Sequence, residues 1–479
     1  MVFLSTTKPG LPRVMTVAFT PARGVSTFNS KPKAPPQTTR SSYTSAYSEA
    51  KTTYDSASKN TLPPLSSLPT PVLLRSILIS TISSKPYLLL PSLKALSFLC
   101  KPRSGPWLNV DRNPILHAVL KSTFYKQFCA GETHDEVRNT IKQLSDMGFQ
   151  GTIMTYAKET VFDHKTQKQA GLGVSADTDS KDTEAFCQQI EAWRKGTVET
   201  VELLGENDYL ALKLTGAGPA VCNAFSSGSL PPKQMLSALD EICTKSAARG
   251  ARILVDAESH HFLSGILRVT LDLMRKFNAD GHARIYNTYQ AYLKSTPGTI
   301  SKHLAAASEE GFTLGLKLVR GAYIASDERS LIHDTKADTD NAYNSIAQGA
   351  IRQEFCGFGS GTKPFPSVNL FLASHNKESV LAAHALHQQR VKDQLPTVPV
   401  GFGQLHGMSD EVSFSLLSLK GNDGEPKVYK CSTWGGLGDC LAYLLRRAIE
   451  NRDAVGRTGD EYRALKAELR RRVRAVLGA

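Results

Sequence analysis

Eight short runs rich in β-branched and aromatic residues alternate with longer runs of helical periodicity, and this repeat constrains the fold of the 479-residue chain more than any other feature. The strand-like runs are Gln150–Tyr156, Tyr209–Leu214, Arg252–Asp256, Arg284–Thr288, Thr313–Val319, Val368–Ala373, Val398–Gly403 and Lys427–Cys431. The helical runs between and after them are Thr183–Leu204, Pro232–Ala248, Leu263–Lys276, Ile300–Glu310, Asp340–Gln353, Lys377–Gln389, Glu411–Leu419 and Leu437–Asn451. Eight strand–helix pairs in series predict an α/β chain closed into a (β/α)8, TIM-like barrel. A doubly wound open sheet is the alternative, but it has no need of eight repeats.

The expected organisation follows. Residues 1–66 read as a leader and linker, 67–118 as a helical N-terminal arm, 119–455 as the barrel and 456–479 as a basic C-terminal helix. A barrel of this type places its chemistry at the C-terminal ends of the strands. Those ends carry Glu159, Lys213, Asp256 with Glu258, Asn287 with Gln290, Lys317 with Arg320, His375 with Asn376, and Gln404 with His406. Lys213 and Asp256 interrupt apolar strands, where an isolated charge is costly. If their strands are neighbours the two can balance each other, either as a structural ion pair or within a binding site. His260 and His261 lack metal-ligand spacing and read as loop residues, so no metal is expected.

The helix after the eighth strand contains Y-L-L-R-R-A-I-E-N, Tyr443 to Asn451. Tyr443, Arg446, Arg447 and Glu450 fall at i, i+3, i+4 and i+7 and can share one face. Two guanidiniums offer a bidentate grip on a carboxylate, the tyrosine a flat wall, and Glu450 an acceptor. The set suits a small zwitterion; the plainer alternative is a surface helix with Arg–Glu pairs. Gly435, Gly436 and Gly438 open that helix at a position where barrels often hold phosphate. In G-L-K-L-V-R-G-A-Y (Gly315–Tyr323), Lys317 is expected to project into the mouth, and Gly321 to let a planar ring or phosphate approach the backbone.

The formal charge of +13 is concentrated at the two ends. Residues 1–48 carry Lys8, Arg13, Arg23, Lys31, Lys33 and Arg40 with no Asp or Glu, and the stretch from Arg446 onward holds a further excess of basic residues. The middle is nearly neutral, so a nucleic-acid groove is not expected, although a basic tail can meet anionic lipid. The basic, acid-free, Ser/Thr-rich start predicts a mitochondrial transit peptide, with a disordered tail as the alternative. Eight scattered cysteines without C-x-x-C suit a reducing compartment. Leu73–Leu99 is interrupted by charge too often to span a bilayer; it reads as helices docking on the body or touching a membrane surface.

Taken together, L-K-L-T-G, L-V-D-A-E, N-T-Y-Q, K-L-V-R-G-A-Y, S-H-N, Q-L-H-G-M-S-D and Y-L-L-R-R-A-I-E-N resemble the proline dehydrogenase family over roughly residues 120–455. The resemblance implies oxidation of L-proline to Δ1-pyrroline-5-carboxylate on FAD, with a membrane quinone as the final acceptor and a matrix-side, inner-membrane-associated mitochondrial location. It implies that Lys213, Arg446 and Arg447 hold the substrate carboxylate. Tyr443 and Leu405 would pack on the ring, Asp256 would fix the Lys213 side, and Glu159 would gate the site by pairing with Arg446. It also implies a flavin-contacting set: Asn287, Lys317, Val319, Arg320, Gly321, Ala322, Tyr323, Lys336, Thr339, His375 and Glu450.

One position departs from the pattern. Where some relatives place a second ring-packing tyrosine, this chain has Cys431, with Tyr429 two residues away. A hydroxyproline-oxidising paralogue is therefore an alternative. A non-enzymatic barrel scaffold that binds lipid or nucleic acid through its basic ends is a further alternative from a different class.

Overall fold

The computed structural model describes residues 62–100, 109–157, 161–163, 168–170, 186–324, 326–360, 363–419, 425–453 and 455–478. The expected leader before Leu62 and the expected gate Glu159 lie outside these residues.

Eight parallel strands close into a barrel. They are β1 (Gly151–Tyr156), β2 (Tyr209–Leu212), β3 (Arg252–Val255), β4 (Ile285–Gln290), β5 (Leu314–Val319), β6 (Val368–Ala373), β7 (Val400–Leu405) and β8 (Lys427–Trp434). Closure is made on both sides of β1, where Ile153 pairs with Cys431 of β8 and with Tyr209 of β2. The strands are buried on both faces, as parallel strands between a filled lumen and a coat of helices must be. The closed barrel overrides the open-sheet alternative.

The lower lumen is plugged with aromatics. Tyr209, Phe371 and Tyr429 meet with ring centroids 5.0–5.5 Å apart, and Arg252 Nη1 donates to Tyr209 Oη at 3.2 Å. Side-chain-free positions on β7 make room for this plug: a Cβ on Gly403 would lie 2.7 Å from the Phe371 ring. The barrel is therefore solid below and leaves its polar strand ends at the top.

The helices bearing on the site are α1 (Thr70–Ser83), α2 (Pro86–Leu99), α3 (Pro114–Leu120), α4 (His134–Asp146), α5 (Gln188–Leu203), α6 (Pro219–Ser226), α7 (Lys233–Ala248), α8 (His260–Phe277), α9 (Thr296–Glu310), α10 (Lys336–Arg352), α11 (Lys377–Lys392), α12 (Asp410–Leu417), α13 (Leu437–Asp453) and α14 (Val455–Leu477). Several sequence boundaries move. β4 and β8 run further than expected, to Gln290 and Trp434. α6 starts on Pro219, whose fixed φ suits a first helical turn, and was not anticipated. Two short antiparallel strands, Val161–Asp163 and Lys168–Ala170, follow β1.

The N-terminal arm packs on α13. Leu89, Leu93 and Leu96 of α2 share an apolar cluster with Leu441, Leu444 and Ala448 of α13. At the other end, Arg472 of α14 donates to Leu65 O, Ser66 O, Leu68 O and Thr70 Oγ1, fastening the C-terminal helix to the start of the arm.

Candidate active site

The barrel brings charged side chains from four different elements within electrostatic reach of one thiol. Burial pushes the Cys431 thiol up to about 11; Asp256 pushes it the same way, while Lys317, Arg447 and Lys213 oppose it. One side chain on β8 thus feels charges from the ends of β2 and β3, from β5 and from α13. Lys213 and Asp256 each stand one residue beyond their strands. Residues separated by tens to hundreds of positions in sequence meet because consecutive parallel strands all end at the same rim.

Two of these charges form an ion pair. Lys317, only 9% exposed, places Nζ 2.6 Å from Asp256 Oδ1. Asp256, expected to balance Lys213, also receives Lys317 from two strands away, because β5 directs Lys317 inward at the level where β3 ends. Lys213 itself receives the Trp193 Nε1–H on its backbone oxygen at 3.0 Å, which fixes the chain just after β2.

α13 carries the aromatic and guanidinium set. Tyr443 is 4% exposed and Arg447 5% exposed, with the Arg447 guanidinium 5.0 Å from the Tyr443 ring centroid. Burial raises the Tyr443 phenol well above its ordinary range. Arg446 lies one position earlier on the same helix and is half-buried. Low solvent exposure strengthens the attraction of such cations for any anion admitted to the mouth. The Glu450 side chain is outside the described residues.

The glycine turn before α13 is not a phosphate cradle. Leu437 N–H donates to Glu132 Oε1 at 2.9 Å and Gly438 N–H to Asp111 Oδ1 at 3.2 Å. Two carboxylates from the N-terminal part of the chain already complement the helix start, so its field repels another anion. The Glu132 carboxylate stays below the usual range: burial opposes this, but Lys121, the Leu437 amide and His117 outweigh it.

At the end of β5, Arg320 donates to Asp340 at 2.6 Å, Ser374 at 2.7 Å and Ser379 at 2.8 Å, and lies 4.3 Å from the Tyr343 ring centroid. Lys336, the first residue of α10, reaches the other Asp340 oxygen at 2.5 Å. Thr335 and Asp338 form a capping box around this helix start, leaving Thr339 half-buried in its first turn. Ala322 N–H donates to Gln290 Oε1 at 3.3 Å. Val319 and Tyr323 are half-buried, and Gly321 and Ala322 are exposed.

Gly321 has a local reason to be glycine. Its φ is +150°, and a Cβ there would stand 2.5 Å from the Tyr292 ring. The planar group that approaches this backbone is thus a protein side chain. Tyr292 in turn donates to Asp327 at 2.5 Å. Asp327 also accepts from Ser259 Oγ at 2.8 Å and His260 N–H at 3.0 Å, and meets His260 Nδ1 at 3.1 Å. The histidines expected in a loop form the first turn of α8, and Asp327 ties that turn to the segment after β5. Nothing in the local sequence marks Asp327 or Tyr292.

The opposite wall is equally fixed. Leu405 N–H donates to His375 Nε2 at 3.1 Å, so the β6 and β7 ends, expected to serve cofactor and substrate separately, are joined. His406 Nδ1 meets Ser432 Oγ at 2.9 Å, and burial, then Lys430, pushes this imidazole down to about 4. Tyr429 belongs to the aromatic plug at 1% exposure and cannot replace a ring at Cys431. Asn287 is 2% exposed, its Nδ2 making a long 3.5 Å contact with Thr288 O.

A closed barrel with cations and carboxylates at the ends of its strands has a mouth whose charge is suited to a small anionic or zwitterionic molecule. The proline dehydrogenase family profile matches residues 137–460. A probable mitochondrial proline dehydrogenase of Schizosaccharomyces pombe is 30% identical over 84% of this chain and 88% of its own length. A hydroxyproline dehydrogenase of Bos taurus is 29% identical over 74% of this chain and 82% of its own. Among solved structures, proline utilization A from Bdellovibrio bacteriovorus superposes with a TM-score of 0.60 at 16% identity, covering 86% of this chain and 42% of that one; it speaks for the fold. The chain belongs to the proline dehydrogenase family.

Proposed function

We propose that this protein oxidises L-proline to Δ1-pyrroline-5-carboxylate, using FAD and delivering the electrons to a membrane quinone. The observation that carries the reading is the Lys317–Asp256 ion pair at the strand ends, with Lys213 and Arg447 acting on the same neighbouring Cys431 thiol. Family membership supplies the reaction type.

Arg446, Arg447 and Lys213 would clamp the substrate carboxylate, and Tyr443 and Leu405 would close on the ring, fixing which C–H faces the cofactor. Asp256, held by Lys317, tempers the positive field so that the carboxylate is bound in one orientation. The residues present fit FAD. Beyond β5 the exposed Gly321–Ala322 backbone, with the Lys336 cation and the Thr339 hydroxyl on α10, offers donors to a diphosphate. Buried Asn287 and the neighbouring Lys317, Val319, Arg320, Tyr323 and His375 offer polar and stacking groups to a heterocycle. When bound, FAD accepts the hydride from the ring carbon next to the substrate nitrogen. The nitrogen must enter unprotonated for its lone pair to form the C=N bond, and the cationic mouth favours that neutral amine.

A mitochondrial setting accords with the names of several relatives and with the acid-free leader. A second reading, hydroxyproline oxidation, is favoured by Cys431 at the mouth, where a small side chain leaves space beside the ring. The decisive experiment records the visible spectrum of the purified protein before and after L-proline. A flavin band bleached by proline supports the proposal; a colourless protein, or a band unmoved by proline or hydroxyproline, refutes it. Arg446→Ala should raise the Michaelis constant for proline about tenfold or more with the flavin retained.

A further inference from the structure

We propose that the α1–α2 hairpin is a docking surface for an anionic lipid bilayer. This deepens the reading above by naming the surface through which the site meets its membrane acceptor, and it rests on that reading only for its purpose.

The hairpin is apolar on two faces. Leu73 and Ile79 of α1 and Leu89, Leu93 and Leu96 of α2 are buried inward. Opposite them, Leu74 is 51% exposed, Leu78 48%, Tyr87 69% and Leu90 50%. On α2 the angles settle the geometry: Tyr87, Leu90 and Lys94 fall on the side away from the stripe Leu89, Leu93 and Leu96. A helix facing only water would place charged residues there. Large apolar side chains left exposed on both helices of one hairpin mark an interaction site.

Charge identifies the partner. Residues 62–100 contain Lys85 and Lys94, as well as Arg75, which turns inward to Gln127, and no Asp or Glu. An acid-free apolar face with lysines beside its leucines matches an anionic headgroup layer over hydrocarbon, and Lys side chains can reach outward while the apolar groups insert. Among the described residues no helix is long and apolar enough to cross a membrane. Each arm helix has 14 residues, or roughly 21 Å at 1.5 Å per residue, against about 30 Å of hydrocarbon. The hairpin therefore lies in the plane of the interface.

The consequence for the site follows from packing. The inner leucines of α2 rest on Leu441, Leu444 and Ala448 of α13, the helix that carries Tyr443 and Arg447. A bilayer bound to the outer face is one helix layer away from the substrate-binding helix. The last turns of α14, with Arg470 and Arg474, are fastened near the start of α1 by Arg472 and add positive charge there.

The test is co-sedimentation of the purified flavin-loaded chain with vesicles of phosphatidylcholine alone or mixed with phosphatidylserine. The wild type should bind the mixed vesicles, and Y87E/L90E should bind about tenfold or more weakly. Lys94→Glu should lower binding to the mixed vesicles while leaving the weaker binding to neutral ones unchanged. Proline-dependent reduction of a soluble dye should be equal in all variants, since Tyr87, Leu90 and Lys94 are exposed and lie on the side of α2 away from the leucines that pack on α13. Failure of the wild type to bind, or undiminished binding by Y87E/L90E, overturns the proposal. So does a doubled mass in sedimentation that Y87E/L90E abolishes without changing vesicle binding, because the face would then be a contact between copies. Loss of dye reduction in the wild type would instead sink the functional reading and leave the lipid result standing.

Discussion

Lys317 Nζ and Asp256 Oδ1 meet at 2.6 Å at the barrel mouth, joining β5 to the end of β3. The two side chains are only 11% and 21% exposed, so neither charge is well hydrated without the other. Asp256→Ala should lower unfolding stability by about 2–4 kcal/mol, measured from urea midpoints, because it strands a mostly buried lysine. Asp256→Asn keeps a hydrogen-bond acceptor and should lose less. Equal midpoints for the alanine variant and the wild type would show that the pair carries no structural weight.

Gly321 lies against Tyr292, and an added methyl group meets that ring at 2.5 Å. Gly321→Ala should cost about 1–3 kcal/mol by displacing Tyr292 and its bond to Asp327. Gly298→Ala is the control: nothing lies within 4 Å of its built Cβ. A thermal melt that ranks the two variants in the opposite order would contradict this account.

Cys431 is the small side chain among four charges at the mouth. Cys431→Tyr should reduce the space beside the substrate ring and shift the ratio of kcat/KM for proline over hydroxyproline about tenfold toward proline. An unchanged ratio would place the selectivity elsewhere.

Glu461 of α14 accepts Ser409 N–H at 3.1 Å and Asp410 N–H at 2.8 Å, below the Leu405 wall. Burial, then Asp410, raises its carboxyl to about 7, while the two amides and Lys430 resist. Arg75 and His406 also face this cluster, whose centre is the Lys430–Asp410 pair at 2.8 Å. The folded state holds the Glu461 proton more tightly than the unfolded chain, with its ordinary value of 4.5. Its stabilising contribution is therefore complete below 4.5 and declines as pH rises toward 7. Buried His406, held near 4, pulls stability the other way over the same window, so the Glu461 contribution is read as a difference: the melting temperature of Glu461→Gln should gain on that of the wild type as pH rises from 4.5 to 7.

Much of the architecture was legible because it is periodic. Val368–Ala373 matched its strand to the residue, and all eight strand-like runs became barrel strands, since apolar β-branched runs between helical repeats have few other ways to be buried. The rim residues followed from the same logic, because a closed parallel barrel must present its strand ends on one side. Cap and loop chemistry was less visible. The carboxylates at the start of α13 come from Asp111 and Glu132, more than three hundred residues away.

The sequence by itself determined that the chain would close into eight parallel strands and that Lys213, Asp256, Lys317, Arg446 and Arg447 would belong to the rim or the final helix, because hydrophobic period and strand ends are local properties. Tertiary structure alone decided that Asp256 takes Lys317, that Tyr292 covers Gly321 and that Glu461 reaches beneath Leu405. Those pairings depend on side-chain direction and the distance between elements, which a one-dimensional pattern does not encode.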